Sequence, residues 1–208
     1  MYDIEVKIFD IDIEATLAKL QDLGATYVGE KLLSAVLLDT PRRDLVRMNG
    51  SLRLRKENDR SIITYKTLKS KNEFKSIKEI EVEVTNYEKA KELLFAMGYS
   101  NVYRSYQKKR FEFHLKNAVV YVDKYLNEFE KIPVFIEIEA QTEQEILKTL
   151  ELLGIDRSKA KNYALSDLIR IYIPQPKKEP ERNPNSQRTQ VAIPTPYSAA
   201  PLNEDGYI

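Results

Sequence analysis

The chain has 208 residues, and its 33 lysines and arginines almost balance its 32 aspartates and glutamates. This length allows one sizeable domain, and a net charge near zero does not favour a nucleic-acid or membrane partner. The sequence has no cysteine and one histidine, which excludes disulfides, thiolate metal sites, a cysteine nucleophile and a histidine-rich zinc site. We expect a soluble cytoplasmic protein, because the sequence shows neither a long apolar run nor a signal peptide.

The first nine residues, MYDIEVKIF, alternate between apolar and charged side chains. This period of two predicts a β-strand with one apolar face and one charged face. The apolar face carries Tyr2, Ile4, Val6 and Ile8, and the charged face carries Asp3, Glu5 and Lys7.

Three helices are predicted where apolar residues recur every three or four positions. They span residues 12–23, 87–97 and 143–153, and a glycine follows each of them. Each also follows a strand that carries acidic residues, so the chain contains a weak internal repeat of acidic strand and helix. A fourth helix is predicted near residues 158–171.

The other predicted strands alternate in the same way, but most carry charge of nearly one sign. They lie near residues 33–39 and at residues 51–56, 62–68, 77–84, 108–113, 119–125 and 134–140. Their charged faces carry Arg53, Arg55, Lys66, Glu79, Glu81, Glu83, Lys108, Arg110, Glu112, Asp123, Glu137 and Glu139.

Two architectures fit this pattern of strands and helices. In the first, helices cover the apolar face of an open sheet and the charged face meets water. In the second, the strands close into a barrel, the helices cover its apolar outer face, and the charged residues line the lumen. A lumen with so many charges needs bound counter-charges, such as metal ions against the acids and a polyanion against the bases.

The order and spacing of these motifs resemble those of the CYTH superfamily, the triphosphate tunnel metalloenzymes. The matching motifs are D-x-E-x-K, S-L-R-L-R, T-Y-K, E-x-E-x-E, K-x-R, a lone strand aspartate and E-I-E, over about residues 1–172. The resemblance implies an α+β fold, in which a closed eight-stranded antiparallel β-barrel holds a triphosphate and helices pack outside. It also implies Mg or Mn as the cofactor.

The resemblance assigns a role to each charged position. The residues implied to bind the triphosphate are Lys7, Arg53, Arg55, Lys66, Lys108 and Arg110, and the implied metal ligands are Asp3, Glu5, Asp123, Glu137 and Glu139. Glu79, Glu81 and Glu83 match a supporting acidic strand. These residue types suit the roles, because Mg prefers carboxylate oxygens and the arginine fork matches phosphate oxygens.

Within the superfamily, the motifs look most like the class IV adenylate cyclase branch, which converts ATP to cyclic AMP and pyrophosphate. One alternative is hydrolysis of tripolyphosphate or of a nucleoside or thiamine triphosphate. Another is a non-catalytic module that binds polyphosphate or RNA. The sequence leaves the oligomeric state open, a homodimer included.

The end of the chain differs in composition from the rest. Seven of the nine prolines lie from Pro174 onward, in a stretch with few large aliphatic residues. Such a segment cannot bury enough apolar surface to fold alone. We therefore predict a domain over residues 1–173 and a disordered tail over residues 174–208.

Overall fold

The computed structural model describes residues 2–71 and 75–174, and its strands form a closed antiparallel barrel. The barrel strands lie in the order β5-β4-β3-β2-β6-β7-β8-β1, and β1 also pairs with β5, which closes the barrel. A short ninth strand, β9, pairs with β1 outside this ring. The strands are β1 (Tyr2–Ile8), β2 (Thr26–Asp39), β3 (Gly50–Glu57), β4 (Arg60–Lys71), β5 (Lys75–Val84), β6 (Asn101–Leu115), β7 (Ala118–Tyr125), β8 (Phe135–Ala140) and β9 (Ala160–Lys161).

The three predicted helices are confirmed to within a residue or two, and their ends are capped. They are α1 (Ile13–Asp22), α3 (Tyr87–Ala96) and α4 (Glu143–Leu153), and a short α2 (Asp44–Arg47) lies between β2 and β3. Thr142 and Glu145 form a reciprocal capping box at the start of α4. The helix ends at Gly154, whose φ of 70° is readily adopted by glycine.

Three predicted boundaries were wrong. The strand predicted at residues 108–113 begins earlier, at Asn101, as part of the long β6. The fourth helix was predicted from residue 158, but residues 160–161 pair with Lys7 and Ile8, and the helix α5 (Leu165–Tyr172) starts later. The strand predicted near 33–39 begins at Thr26, because it pairs along most of the long β6. The first half of β2 was missed because its residues are mostly exposed, so apolar and polar residues do not alternate there.

The apolar faces of most strands point outwards and pack against the helices. Val6, Val120 and Ile138 are buried in one cluster with Leu20 of α1 and Ile146 of α4. Burial of these side chains stabilises the fold by roughly 1.5–3 kcal/mol each. Leu52 and Leu54 of β3 are buried beneath Ala90 and Leu94 of α3.

The barrel is therefore the observed architecture, and the open sheet is excluded. One part of its outer face is not covered, since Ile80 and Val82 of β5 are 52% and 54% exposed. Among the described residues, no helix is both long and apolar enough to cross a membrane. Except for Pro174, the predicted tail lies outside the described residues.

Candidate functional site in the barrel lumen

Strand pairing brings the predicted site residues to one cavity inside the barrel. In β1, Glu5 lies opposite Glu139 and Lys7 lies opposite Glu137, so their side chains share one face of the sheet. The cavity has a volume of about 820 Å³. The predicted residues that line it are Glu5, Lys7, Arg53, Arg55, Lys66, Glu79, Glu81, Lys108, Arg110, Glu137 and Glu139.

Three carboxylates meet in the lumen where β1 and β8 pair. Oxygens of Glu5, Glu137 and Glu139 lie within 4.8 Å of one another. Glu137 forms ion pairs with Lys7 and with Arg110 Nη2, and Lys7 Nζ lies 3.3 Å from Glu5 Oε1. Glu139 has no ion-pair partner among the described residues. We call these three residues the acidic cluster.

The pKa values of Glu137 and Glu139 indicate that the acidic cluster suits an added positive charge. Burial, and then the charge of Glu137, raise the pKa of Glu139 to about 7. Burial alone would also raise the pKa of Glu137, but Lys7 and Arg110 hold it well below its usual value. A divalent cation beside Glu139 would remove this repulsion, and carboxylate oxygens are ligands that Mg and Mn accept. The donor set therefore fits a metal ion.

Two other predicted metal ligands are placed differently. Asp123 is fully buried, with Lys108 Nζ at 2.6 Å and Arg110 Nε at 2.7 Å, and it lies outside the acidic cluster. Burial opposes its ionisation, but Arg110 and Lys108 lower its pKa, so it holds two basic side chains in place. Its role as a metal ligand stays a prediction. The side chain of Asp3 lies outside the described part of the structure.

Opposite the acidic cluster, β3 presents two arginines with unused donors. Arg55 Nη1 donates to Glu81 Oε1 at 2.6 Å, and Arg53 Nη2 lies 3.7 Å from the same oxygen. In the described part of the chain, the Nε atoms of Arg53 and Arg55 are buried without a hydrogen-bond partner. A buried N–H without an acceptor costs about 1–3 kcal/mol, and a phosphate oxygen would satisfy it.

The acidic strand β5 supplies counter-charges to the basic residues. Lys66 Nζ lies 2.6 Å from Glu79 Oε2, and Glu81 contacts the β3 arginines. Glu83 is exposed and pairs with Arg60. These acids contact basic side chains, and none of them belongs to the acidic cluster. The bases thus stay charged and oriented without a ligand.

The site also depends on two residues that the sequence did not single out, Tyr106 in the cavity lining and the buried Thr64. Tyr106 is buried, and Arg53 Nη1 lies 3.4 Å from its hydroxyl oxygen. Burial would raise its pKa, but Arg53 and Lys108 lower it. Thr64 accepts from Arg55 and donates to Glu81. Both lie two residues before a predicted basic residue on the same strand, so extending the alternation would have found them.

At one end of the cavity, a further ion-pair network was missed. Lys31 Nζ lies 2.7 Å from Glu112 and 3.8 Å from Glu57. His114 contacts Glu112 at 2.9 Å. Lys31 was missed because the first half of β2 was not predicted as a strand.

Comparison with known proteins places this architecture in a family. The CYTH domain family model matches residues 1–170. The chain belongs to the CYTH domain family. Enzymes of this family process triphosphates and use divalent metals, in agreement with the acidic cluster of this CYTH domain and with the lumen bases Arg53, Arg55 and Lys66, which we call the basic wall. The predicted family and fold are confirmed.

One relative and two solved structures share 16–26% of their aligned residues with this CYTH domain. A protein of Methanocaldococcus jannaschii, named "putative adenylate cyclase", is 26% identical over 102 residues, which is 49% of this chain and 58% of that protein. A solved structure from Pyrococcus horikoshii is 26% identical with a TM-score of 0.67, over 80% of this chain and 98% of that chain. A "putative adenylyl cyclase" from Hippeastrum, described with a dominant triphosphatase activity, has a TM-score of 0.58 at 16% identity, over 84% and 97% of the two chains. That last likeness shows the fold alone.

Proposed function

We propose that this chain is an enzyme that depends on Mg or Mn and converts ATP to cyclic AMP and pyrophosphate. The triphosphate would lie in the lumen between the basic wall and the acidic cluster. The relative in Methanocaldococcus jannaschii, which carries the name "putative adenylate cyclase", supports the direction of this proposal.

One observation carries the proposal more than any other. Among the described residues, the Nε–H groups of Arg53 and Arg55 are buried without an acceptor, and Glu139, which lines the same cavity, has no ion-pair partner. An anion and a cation are therefore needed in the same space. A triphosphate with a divalent metal supplies both.

The proposed roles of the chain's residues follow from their contacts. Arg53, Arg55 and Lys66 would bind phosphate oxygens, and the acids of β5 would keep them oriented before the substrate arrives. Lys108 and Arg110 would hold a second part of the phosphate chain, with Asp123 fixing their positions. When bound, the metal would neutralise phosphate charge in a reaction that depends mainly on positioning and electrostatics.

Hydrolysis of tripolyphosphate or of a nucleoside or thiamine triphosphate is the second candidate. The positions of the basic side chains support it, because Arg53, Lys66 and Lys108 line the same cavity. Tripolyphosphate, which has no nucleoside, could contact all three. Hydrolysis differs from cyclisation in the nucleophile, which would be water rather than the ribose 3′-oxygen.

A product assay separates these reactions. The purified protein is incubated with ATP or tripolyphosphate and with MgCl₂ or MnCl₂, and the products are resolved by chromatography. Cyclic AMP with pyrophosphate would support the cyclase, and orthophosphate would support the hydrolase. Unchanged substrates with measurable binding would instead indicate a non-catalytic module for polyphosphate or RNA.

A further inference from the structure

Four side chains form a rim at the end of the cavity where β3 begins. They are Arg43, Asn49, Tyr103 and Arg104, and all four line the same cavity as the phosphate-facing bases. We call them the arginine–tyrosine rim. None of them belongs to the motifs that identify the family, and the proposed reaction at the phosphates does not use them.

A fixed loop holds Arg43 at this rim. The buried carboxylate of Asp39 accepts hydrogen bonds from the backbone N–H groups of Thr40, Leu45 and Val46, at 2.7, 2.9 and 3.1 Å. These bonds fasten the loop on both sides of Arg43. Arg43 itself has a left-handed φ of 62°, which is uncommon for a residue other than glycine. Such a backbone conformation persists only where the surrounding structure holds it.

A β-bulge turns Tyr103 towards the cavity. The pairing of β2 with β6 passes from Leu37 opposite Arg104 to Leu38 opposite Val102, so Tyr103 is the extra residue. Bulges commonly redirect a side chain next to a functional site. As a result, the neighbours Tyr103 and Arg104 both line the cavity, although regular alternation would point one of them outwards.

The rim presents a flat surface with unused hydrogen-bond donors. The Arg43 guanidinium lies 4.4 Å from the centre of the Tyr103 ring. Within the described residues, neither Arg43 nor Arg104 has a carboxylate at ion-pair distance. The bases deeper in the lumen differ, since Lys66, Arg55 and Lys108 all have acidic partners.

We propose that the arginine–tyrosine rim binds the nucleobase of a nucleoside triphosphate. This inference rests on the proposed binding of the triphosphate in the lumen. A guanidinium stacked on a phenol ring offers a planar surface on which a base stacks. The Asn49 amide and the Arg104 guanidinium supply donors and an acceptor for the edge of a purine.

The position of the rim suits this ligand. Ser51 of β3 lines the cavity at the rim, and Arg53 lies two residues further along, which is about 7 Å in a strand. A nucleoside joined to the triphosphate would span this distance. A longer phosphate chain fits less well, because Tyr103 and Asn49 carry no charge and the guanidinium of Arg43 lies against the ring.

The test compares ATP with tripolyphosphate, which has the phosphates but no base. Dissociation constants are measured by calorimetry at one MnCl₂ concentration for wild type, Arg43→Ala and Arg43→Lys. We expect both variants to bind ATP roughly tenfold more weakly and tripolyphosphate within about twofold of wild type. Arg43→Lys keeps the charge and removes the plane, so it separates stacking from electrostatic attraction.

Arg60→Ala is the matched control, since Arg60 is an exposed arginine that lines the same cavity and pairs with Glu83 of β5. It should leave the ratio of the two dissociation constants unchanged. The inference is overturned if Arg43→Ala weakens both ligands equally, which would assign the rim to phosphate, or if it weakens neither. A wild-type protein that binds neither ligand would overturn the proposed function itself, and the inference with it.

Discussion

The substitution Glu139→Gln should stabilise the metal-free protein, although it removes a charged residue from the site. Glu139 faces two other carboxylates and has no ion-pair partner among the described residues. A pKa raised from 4.5 to about 7 means that ionised Glu139 costs the fold about 3 kcal/mol above pH 7. Glutamine keeps the shape without the charge, so we expect a gain of about 1–3 kcal/mol at pH 8.

The sign of this effect depends on pH in a defined way. Below the unfolded pKa of about 4.5, Glu139 is protonated in both the folded and unfolded states and costs nothing. The penalty grows as the pH rises from 4.5 to 7 and is complete above pH 7. The stabilisation by Glu139→Gln should therefore be large at pH 8 and small at pH 5.

Glu137→Gln is the matched control, because its neighbours differ. Glu137 forms ion pairs with Lys7 and Arg110, and removing one partner of a buried pair costs about 3–5 kcal/mol. This variant should be destabilised, whereas Glu139→Gln should be stabilised. Both should lose the stabilisation by MnCl₂, which for wild type is about 2.7 kcal/mol at a concentration of one hundred times the dissociation constant.

Thermal and urea unfolding at pH 5 and pH 8, with and without MnCl₂, measure all of these quantities. Two results would contradict the assignment of these residues to a metal site. One is a Glu139→Gln protein that is less stable than wild type at pH 8. The other is a wild-type response to MnCl₂ that persists in both variants, which would show that the acidic cluster does not bind the ion.

Three further predictions concern the basic wall, the acidic strand and the end of the chain. Arg53→Ala should weaken binding of tripolyphosphate about tenfold to a hundredfold, because a hydrogen bond to a charged group is worth about 1.5–3 kcal/mol. Unchanged calorimetric binding would remove Arg53 from the phosphate site. Burial opposes the ionisation of Glu81, but its hydrogen bond with Arg55 contributes most to lowering its pKa to about 2. Its ionised form therefore stabilises the fold above pH 4.5 and loses this effect as the pH falls towards 2. Because this side chain is 40% exposed, Glu81→Gln should cost only about 1 kcal/mol at pH 7, and urea unfolding should show a smaller difference at pH 3.5. A pH-independent difference would contradict this assignment. A chain ended after Ile173 should keep the melting temperature and activity of the full chain, and loss of folding would place the domain boundary elsewhere.

The alternation of charged and apolar residues predicted the barrel strands well. It works because most strands have one face against helices and one face in the lumen, so charged and apolar residues alternate along them, as at Glu137, Ile138 and Glu139. It failed in the first half of β2, where neighbouring residues of both faces are exposed. There, the strand is stabilised by its pairing with β6, and this pairing cannot be predicted from the local sequence pattern.

Which lumen residues lie side by side was less predictable than which residues face the lumen. The separation of Asp123 from the acidic cluster depends on pairing across several strands, which determines that Asp123 lies beside Arg110. The position of Tyr103 depends on a bulge, and a bulge breaks the alternation that the sequence analysis relies on. Asp39 resembled an ordinary strand residue, yet it fastens the loop that carries Arg43.

The lumen is proposed to bind a triphosphate together with a divalent metal. Calorimetric titration of the wild-type protein with tripolyphosphate, in MnCl₂ and in EDTA, tests it most directly. We expect one binding site per chain in MnCl₂ and binding at least tenfold weaker in EDTA. Equal affinity in the two conditions would contradict the metal site, and no binding in either would contradict the phosphate site.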